Sequence, residues 1–552
     1  MNREIARGKL IGQQGPGSIY VDTDGSSYLI SAADKWYDKE LKNSYIDISE
    51  FELRDPRLEK ILAVDKFLEV PDYRTTFDKK NTKNTKLRIP ITRFPLLDYC
   101  IICGTFSRAK PTSSSRKRYC NHCDKSQKFI QFPIIIMCKK GHISDFPYKR
   151  YIHTDQKETN NCSRQWIDRS GVSILSWTLH CNCGAMHSLT GVTGSSSDEG
   201  SGTPFMNKIR GAKCFGDMPW TGSDIKFECE ELPMAVLKNS LNVYRPDVVE
   251  ALSISESNYH KYSDISFDEL LHEEFVMLQG KVESSDTDKL DVRTSFDVSR
   301  EKKVIKSVNY VHRLQQLVVQ TNFHREEHIE EVESFERAQE GPKVSNLFSP
   351  EYTDRRWYPA KKVYGEGIFI EINSEVIEEW ENKIEVSGHY SKLKSRVGSF
   401  YLADKFNSPT SILIHTLSHS LIRELSKQSG YPITSIRERL YLSDNEKGLL
   451  LYVTDSDRAG TYGGLVRLAQ KEKIEEIISK SLNNMEWCSS DPVCFEIGDS
   501  FGQGVQNSNG AACHNCSFVP STSCSYRNCF LDRDYLSRID SKVRITNWYD
   551  IL

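Results

Sequence analysis

Two pairs of cysteines near residue 100 constrain the fold of this chain more than any other feature of its sequence. Cys100 and Cys103 are separated by two residues, as are Cys120 and Cys123, and sixteen residues lie between the two pairs. A C-x2-C turn places two thiolates on one cation, and two facing turns supply the four tetrahedral ligands that zinc prefers. The spacing therefore predicts a zinc ribbon in this part of the chain.

Residues 96–245 carry ten of the sixteen cysteines, enough for one or two further zinc sites. A CxCG turn and a CFGDMPW turn could face each other, which favours the ligand set Cys181, Cys183, Cys214 and Cys229. Cys138 with His142 could replace one of these pairs. His142 with Asp145 could instead form a catalytic dyad, although the neighbouring cysteines favour a zinc or capping role for the histidine.

A third cysteine-rich stretch, from Cys488 to Arg533, contains six cysteines. Its C-x2-C turn predicts a closed site with four protein ligands, which stabilises a fold and leaves no position for a reactive water. The expected ligands are Cys494, Cys513, Cys516 and Cys524, with Cys488 as the rival of Cys494 for the fourth position. Cys529 precedes an apolar pair and is expected to be a small buried side chain. Together the cysteines predict about two or three zinc ions per chain.

The composition is that of an ordinary folded protein. The chain has 552 residues, of which 38% are hydrophobic and 27% charged, so three or four domains are expected. It contains no run of eighteen apolar residues and no signal-peptide core at its N-terminus, which predicts a cytoplasmic protein that does not enter a membrane. In a reducing compartment, paired cysteines indicate metal sites and not disulfides.

The net charge of −3 does not require nucleic acid, so any contact with DNA must come from a local basic patch. The loop between the ribbon knuckles, GTFSRAKPTSSSRKRY, is such a patch. Its cations could contact phosphates without reading bases, and they are Arg108, Lys110, Arg116, Lys117 and Arg118. A merely solvated loop tip is an equally good interpretation.

Several longer motifs resemble a known family. The segments GQQGPGSIYVDTDGSSYLI, HTLSHSLIREL, SIRERLY and LLLYVTDSDRAGTYGGL are similar to DrmB, a component of bacterial DISARM antiphage systems. The segments GAACHNC, SCSYRN and FLDRDYL are similar to the zinc-binding module (MZB) at the C-terminus of MrfA-type helicases. The resemblance touches nearly the whole chain. It implies a non-catalytic partner of a separate SNF2-like helicase, DrmA, acting on DNA.

The expected fold is a multi-domain α+β chain with zinc-ribbon-like modules. Four consecutive domains are predicted: a β-rich domain at 1–95, a cysteine-rich zinc-ribbon domain at 96–245, a helical middle region with an acidic insertion at 246–395, and an α/β domain at 396–552 with its MZB-type module at 488–533. Within them, residues 12–30 predict a β-hairpin, and residues 267–278 and 412–425 predict helices. Residues 302–317 also predict a helix, because Val304, Val308, Val311 and Leu314 share one helical face.

A second function class remains open. His415 and His419 lie one helical turn apart, and with Glu438 and either Asp455 or Asp457 they could form a metal-dependent hydrolase of nucleic acid. Histidines on such a helix face more often form hydrogen bonds in a packed core. A separate H-x-x-E-H match at 324–328 lies in a charged segment that cannot wall off a catalytic zinc. No phosphate-binding GxxxxGK[ST] motif occurs, so the sequence favours a subunit without chemistry of its own.

Overall fold

The computed structural model describes residues 5–37, 46–73, 84, 87–154, 162–171, 173–193, 203–209, 211–223, 225–254, 265–281, 288–298, 303–325, 345–398, 400–455, 463–536 and 538–545. The chain forms two compact units. The first comprises 1–54, 62–249 and 318–361, and the second comprises 55–61, 250–317 and 362–552. Both units are thus assembled from separate stretches of chain, whereas the sequence predicted consecutive domains. Helices and strands are mixed in each, as the α+β prediction expects.

The first unit is built from small antiparallel sheets. The predicted hairpin is present, with Ile19–Val21 pairing to Ser27–Ile30, which pairs in turn to Ile91–Arg93. The remaining strands are Glu52–Leu53, Lys66–Glu69, Leu97–Cys100, Phe106–Arg108, Lys117–Cys120, Lys125–Gln131, Ile134–Met137, Ile143–Asp145, Gln165–Asp168, Thr178–Cys181, Met186–Ser188 and Met234–Leu237. Two short helices, Tyr148–Ile152 and Pro204–Lys208, pack among them. Because these strands are short, the turns that join them come close together, and the turns carry the cysteines.

The second unit has longer elements. Its helices are Pro56–Ile61, Phe267–Leu278, Ser374–Glu381, Ile384–Val397, Pro409–Ser429, Lys471–Glu486 and Val493–Ser500. Strand Trp357–Ile372 pairs antiparallel with Lys447–Asp455 from Tyr364 opposite Asp455 to Glu371 opposite Gly448, and Lys447–Asp455 pairs in turn with Ile436–Leu442. Strand Leu290–Asp297 pairs with Ile305–His324. Strand Arg245–Leu252 enters this unit at residue 250.

Helix Pro409–Ser429 is the centre of the second unit. Ser408 caps its N-terminus by accepting a hydrogen bond from the Ser411 amide, proline occupies its first turn, and Gly430 ends it with φ of 83°. Most of its side chains are buried, and it packs against both strands of the pair Ile436–Leu442 and Lys447–Asp455. The helix predicted at 412–425 is therefore confirmed. It carries two histidines into the interior of the unit.

The helix predicted at 302–317 is wrong, because residues 305–317 lie in strand Ile305–His324. Two β-bulges shift the register against Leu290–Asp297, so that Val308 lies opposite Phe296 and Val311 opposite Val292. The bulge beside Val292 brings Val311 and Leu314, three apart in sequence, into one core cluster, while Val304 and Val308 lie in another, and this spacing imitates a helical period. The helix predicted at 267–278 is confirmed as Phe267–Leu278, with a capping box formed by Ser266 and Glu269. Among the described residues, no helix combines the length and the apolar character that crossing a membrane requires.

Candidate metal centres

The four cysteines of the predicted zinc ribbon converge at the ends of paired strands. Cys100 and Cys120 are the last residues of strands Leu97–Cys100 and Lys117–Cys120, and Cys103 and Cys123 follow in the turns. The Cys100 Sγ lies 3.9 Å from the Cys123 Sγ, and the Cys103 Sγ lies 3.5 Å from the Cys120 Sγ. The structure thus brings together the whole set that the spacing predicts.

These distances fit a metal and not a disulfide. A disulfide bond is about 2.05 Å long. Four sulfurs about 2.3 Å from a central zinc lie about 3.8 Å from one another along the edges of the tetrahedron. The observed separations therefore match the edges of a tetrathiolate zinc site, and the sixteen cysteines are free thiols.

A second group consists of Cys138, His142, Cys214 and Cys229. Cys138 follows strand Ile134–Met137, and His142 precedes the strand that pairs with it. The His142 Nδ1 lies 3.4 Å from the Cys138 Sγ and 3.6 Å from the Cys214 Sγ, and the Cys138 Sγ lies 3.9 Å from the Cys229 Sγ. A zinc-bound nitrogen and sulfur are about 3.6 Å apart in a tetrahedral site, so this group also fits zinc.

A third group consists of His153, Cys162, Cys181 and Cys183. His153 follows helix Tyr148–Ile152, and its Nε2 lies 3.4 Å from the sulfurs of both Cys162 and Cys183. The His153 Nδ1 lies 2.7 Å from the Lys149 carbonyl oxygen and donates a hydrogen bond to it. Because that bond holds the proton on Nδ1, the Nε2 lone pair faces the sulfurs, as a metal ligand requires.

The predicted set Cys181, Cys183, Cys214 and Cys229 is therefore not brought together. Cys181 and Cys183 lie with His153 and Cys162, whereas Cys214 and Cys229 lie with Cys138 and His142. The ten cysteines of this region therefore form three groups. The sequence left open that Cys138 and His142 replace one of the two pairs. The second group has this composition, with Cys138 and His142 in place of Cys181 and Cys183. Sequence reasoning missed His153 and Cys162, because they do not form a C-x2-C turn and lie nineteen or more positions before Cys181. Six thiols remain outside the ribbon, two too few for two four-cysteine sites, and this count was the signal that histidines complete the sites.

The C-terminal group consists of Cys488, Cys494, Cys513 and Cys516. The sulfur separations are 3.6 Å for Cys488 and Cys513, 4.0 Å for Cys494 and Cys516, and 3.8 Å for Cys513 and Cys516. The predicted ligand Cys524 lies elsewhere, 3.4 Å from the Nε2 of His415, whereas Cys494 and its rival Cys488 both belong to the group. Spacing could not exclude Cys524, since only the folding of the chain after Cys516 decides which sulfurs come close.

Backbone amides and glycines shape these turns in the way that thiolate sites need. The amide of Gly216 donates to the Cys214 Sγ at 3.4 Å, and that of Cys513 donates to the Cys516 Sγ at 3.2 Å. Gly216 has φ of 66°, and a Cβ there would lie 1.9 Å from the Phe227 carbonyl oxygen. Such turns donate hydrogen bonds to sulfur and so favour the charged thiolate.

The pKa values of individual thiols follow from these contacts. The hydrogen bond from the Ala185 amide is the main cause that lowers the pKa of Cys183 to about 6. Hydrogen bonding with Cys138 lowers the pKa of Cys214 to about 4. A thiolate at neutral pH is the form that binds zinc.

Some cations of the basic loop are exposed to solvent, and others are held by contacts within the protein. Arg118 forms an ion pair with the buried Asp98, and its guanidinium stacks 4.5 Å from the centre of the Phe129 ring. Arg108 lies 3.2 Å from Asp145, yet its side chain is 68% exposed. Lys110 and Lys117 are exposed and Arg116 is half-buried. Arg108, Lys110 and Lys117 are therefore the members of the predicted set that solvent, or a phosphate, can reach.

The fold and these sites place the chain in a class of cysteine-rich α+β proteins. In this chain, several groups of buried or half-buried Cys and His side chains could hold metal ions. A family model described as a domain of unknown function, DUF8724, matches residues 6–245, which include the first three of these groups. The chain is also similar to the DISARM protein DrmB of Bacillus paralicheniformis, with 29% identity over 487 residues that cover 76% of this chain and 83% of the relative. This similarity confirms the resemblance to DrmB that the sequence motifs indicate.

Proposed function

We propose that this chain is a zinc-binding, non-catalytic subunit of a DISARM-type antiphage defence complex, where it pairs with a DrmA-type SNF2-like helicase and supports DNA binding by the complex. The observation that carries the proposal is the similarity to a DISARM protein along 76% of the chain. A similarity of that length includes both units, so the relation does not rest on a shared zinc motif alone.

Zinc is the metal proposed for the four Cys and His groups. Their donors are thiolates and imidazoles, which suit zinc better than the oxygen-preferring magnesium or calcium. Each group contributes four protein donors and leaves no position for a reactive water, which favours a structural role. The proposed ligands are Cys100, Cys103, Cys120, Cys123, Cys138, His142, Cys214, Cys229, His153, Cys162, Cys181, Cys183, Cys488, Cys494, Cys513 and Cys516. In this proposal the C-terminal group is the MZB-type module.

The hydrolase alternative has less support. His415, His419 and Glu438 do lie together, but each is at most 2% exposed. Cys524 supplies a fourth donor where a catalytic metal would keep a position for water or substrate. The side chain of Asp455 and the whole of Asp457 lie outside the described residues, as do Glu327 and His328 of the H-x-x-E-H match.

Association with a helicase is tested by co-expression of this chain, tagged, with a DrmA-type helicase from the same host. We expect the helicase to co-purify at a fixed ratio, and we expect phage to plate more efficiently on cells that lack this chain. Complementation with the wild-type chain should restore protection. Full protection without the chain, together with no co-purification, would contradict the proposal.

Contact of the complex with DNA is tested at the exposed part of the basic loop. The triple variant Arg108→Ala/Lys110→Ala/Lys117→Ala should weaken binding of the complex to duplex DNA equally for different sequences. The slope of log affinity against log salt should become shallower by roughly 0.9 for each phosphate contact removed. The matched control is Lys392→Ala/Lys473→Ala/Lys542→Ala, which changes three exposed cations elsewhere. Equal loss in both variants would show that the loop has no particular role.

A further inference from the structure

A fifth group of metal-binding side chains lies inside the second unit, and its composition differs from that of the other four. It consists of His415 and His419 from helix Pro409–Ser429, Glu438 from strand Ile436–Leu442 and Cys524 from the C-terminal region. One donor atom from each residue lies within 4.8 Å of all the others. The exposed fractions of the four residues are 0%, 0%, 2% and 7%, so water does not solvate these polar groups.

The separations of the donor atoms are those of ligands around one ion. The His415 Nε2 lies 3.2 Å from the Glu438 Oε1 and 3.4 Å from the Cys524 Sγ. The His419 Nε2 lies 3.5 Å from the same carboxylate oxygen. Tetrahedral zinc places its nitrogen, oxygen and sulfur ligands about 3.3 to 3.6 Å apart.

Contacts outside the group orient its donors inwards. The Nδ1 of His419 donates a hydrogen bond to the Ser517 carbonyl oxygen at 2.9 Å, which leaves the Nε2 lone pair of the neutral ring facing the group. The hydroxyl of Ser418 donates to the Glu438 Oε2, so the other carboxylate oxygen faces the histidines. Hydrogen bonds that fix ligands from behind, as here for His419 and Glu438, are the usual arrangement around a protein-bound metal.

Two of the inward atoms have no hydrogen-bond partner. The His419 Nε2 and the Glu438 Oε1 are buried, and neither makes a hydrogen bond within the described part of the chain. An unsatisfied buried polar atom costs about 1 to 3 kcal/mol, and more when it is charged. A cation between the four donors would satisfy both atoms at once.

We propose that His415, His419, Glu438 and Cys524 bind a fifth zinc ion in a closed, structural site. The thiolate and the two imidazoles favour zinc over magnesium, calcium or manganese. The site has four protein donors and is buried, so it holds elements together and does not activate water.

The fifth site joins three elements that are distant in sequence, and it lies next to the C-terminal group. Ser517, which accepts the hydrogen bond from His419, directly follows the ligand Cys516. Arg423 on the same helix donates to the carbonyl oxygens of Asn515 and Phe518 at 2.9 and 3.1 Å. The ion would therefore fasten the C-terminal module to the central helix of the second unit.

The competing explanation is a metal-free network in which a protonated His419 forms an ion pair with Glu438. Both explanations make the histidines important for stability, so loss of stability cannot separate them. Only the zinc explanation requires Cys524 as a donor. The chain also offers a matched control, because Cys529 is a buried cysteine of the same region that lies outside the five groups.

The test compares the zinc content of the full-length chain in the variants Cys524→Ser and Cys529→Ser, measured by elemental analysis and native mass spectrometry. We expect Cys524→Ser to lose about one zinc per chain. The Cys529→Ser variant should keep the wild-type content. Equal zinc in Cys524→Ser and the wild type would overturn the fifth site.

A second variant covers the case in which Cys524→Ser does not fold. Glu438→Gln keeps the size of the side chain and its contact with Ser418 but removes the anionic donor, so we expect it to bind one zinc less tightly. In a competition titration with a zinc-binding dye, about one equivalent should then be released at a lower dye concentration than from the wild type. An unchanged titration would contradict the proposal. Neither measurement depends on a defence complex, so failure of the fifth site and failure of the proposed function are distinguishable.

Discussion

Arg325 supports the second Cys and His group from behind. Its side chain is fully buried, and its guanidinium donates to the carbonyl oxygens of Gly17, Gly141 and Val243, of which Gly141 directly precedes the ligand His142. The ring of Phe323 lies 4.9 Å from the guanidinium carbon. A single cation therefore satisfies three carbonyl groups around the turn that presents the histidine.

Replacing Arg325 by methionine should destabilise the first unit strongly. The change leaves three buried carbonyl oxygens without their donor, at about 1 to 3 kcal/mol each, so a loss of about 3 kcal/mol or more is expected. Urea-induced unfolding followed by circular dichroism measures the loss. The control Arg313→Met removes an arginine that is 53% exposed, and it should change stability by less than about 0.5 kcal/mol. Similar effects of both changes would contradict the assigned role.

His389 provides a pH-dependent contact at the C-terminal module. Its Nε2 lies 2.7 Å from the Oδ2 of Asp532, which is fully buried. Burial alone would lower the pKa of His389, but the Asp532 carboxylate outweighs it and the pKa is raised. A raised folded-state pKa means that the ion pair stabilises the protein fully below the ordinary pKa of about 6.5. That contribution is lost as the pH rises through the raised value.

The variant His389→Gln should therefore lose more stability at about pH 6.5 than at about pH 8.5. At the lower pH the expected loss is about 1.5 to 3 kcal/mol, the usual range for a hydrogen bond to a charged group. The difference in unfolding free energy between variant and wild type, measured by urea titration at several pH values, isolates this contribution from the proposed zinc sites, which both proteins would share. A difference that stays constant with pH would contradict the ion pair.

Helix Val493–Ser500 depends on a glycine for its approach to the C-terminal group. Gly498 lies one turn after the ligand Cys494 and on the same buried face. A Cβ at Gly498 would lie 2.5 Å from the carbonyl carbon of Gly510 and 2.6 Å from the Ala511 nitrogen. Because these are backbone atoms, they cannot shift without moving the chain around them. That chain continues directly into the turn that carries Cys513.

Changing Gly498 to alanine should move Cys494, on the helix, away from Cys513 and Cys516. We expect a destabilisation of about 1 to 3 kcal/mol from overpacking and a weaker hold on one zinc, seen as earlier release to a chelating dye. The control is Gly388→Ala, a helical glycine with open space around its Cβ, which should be neutral or stabilising by up to about 1 kcal/mol. Equal zinc release from both variants would contradict the close approach.

At the scale of elements, the sequence predicts local features well and long-range partners poorly. The hairpin at 12–30 and the helix Pro409–Ser429 follow from turn residues, caps and periodicity that lie within a few residues of each other. The zinc ribbon follows for the same reason. The helix expected at 302–317 failed because bulged pairing with the preceding strand Leu290–Asp297, which leaves no signal in residues 302–317 themselves, imposed the spacing of the apolar residues.

The candidate sites show the same division. Cysteines separated by two residues on one turn are found from spacing, whereas His153, Cys162 and the pairing of Cys138 with Cys229 depend on how separate strands fold together. The sequence predicts Cys524 as a ligand of the C-terminal group, with Cys494 and Cys488 as rivals for one position. The structure places both rivals in that group and Cys524 in another, beside His415 and Glu438 in the core of the second unit.

At the scale of the whole molecule, the proposed zinc sites would take the place of part of the hydrophobic core. In the first unit, three Cys and His groups lie among strands of mostly three or four residues, which bury little apolar surface by themselves. Structural zinc binds with roughly 10 to 16 kcal/mol in small domains, so its removal should unfold such a unit. The second unit has longer helices and a larger core, and it should retain more of its structure without metal.

The most direct test of the account is native mass spectrometry of the full-length chain, with elemental analysis and a parallel melting curve after removal of metal by a strong chelator. We expect at least four zinc ions per chain from the Cys and His groups, a fifth from the His, Glu and Cys group, and a large drop in melting temperature on chelation. A metal-free chain with an unchanged melting temperature, or iron or manganese in place of zinc, would contradict the claim that zinc holds this protein together.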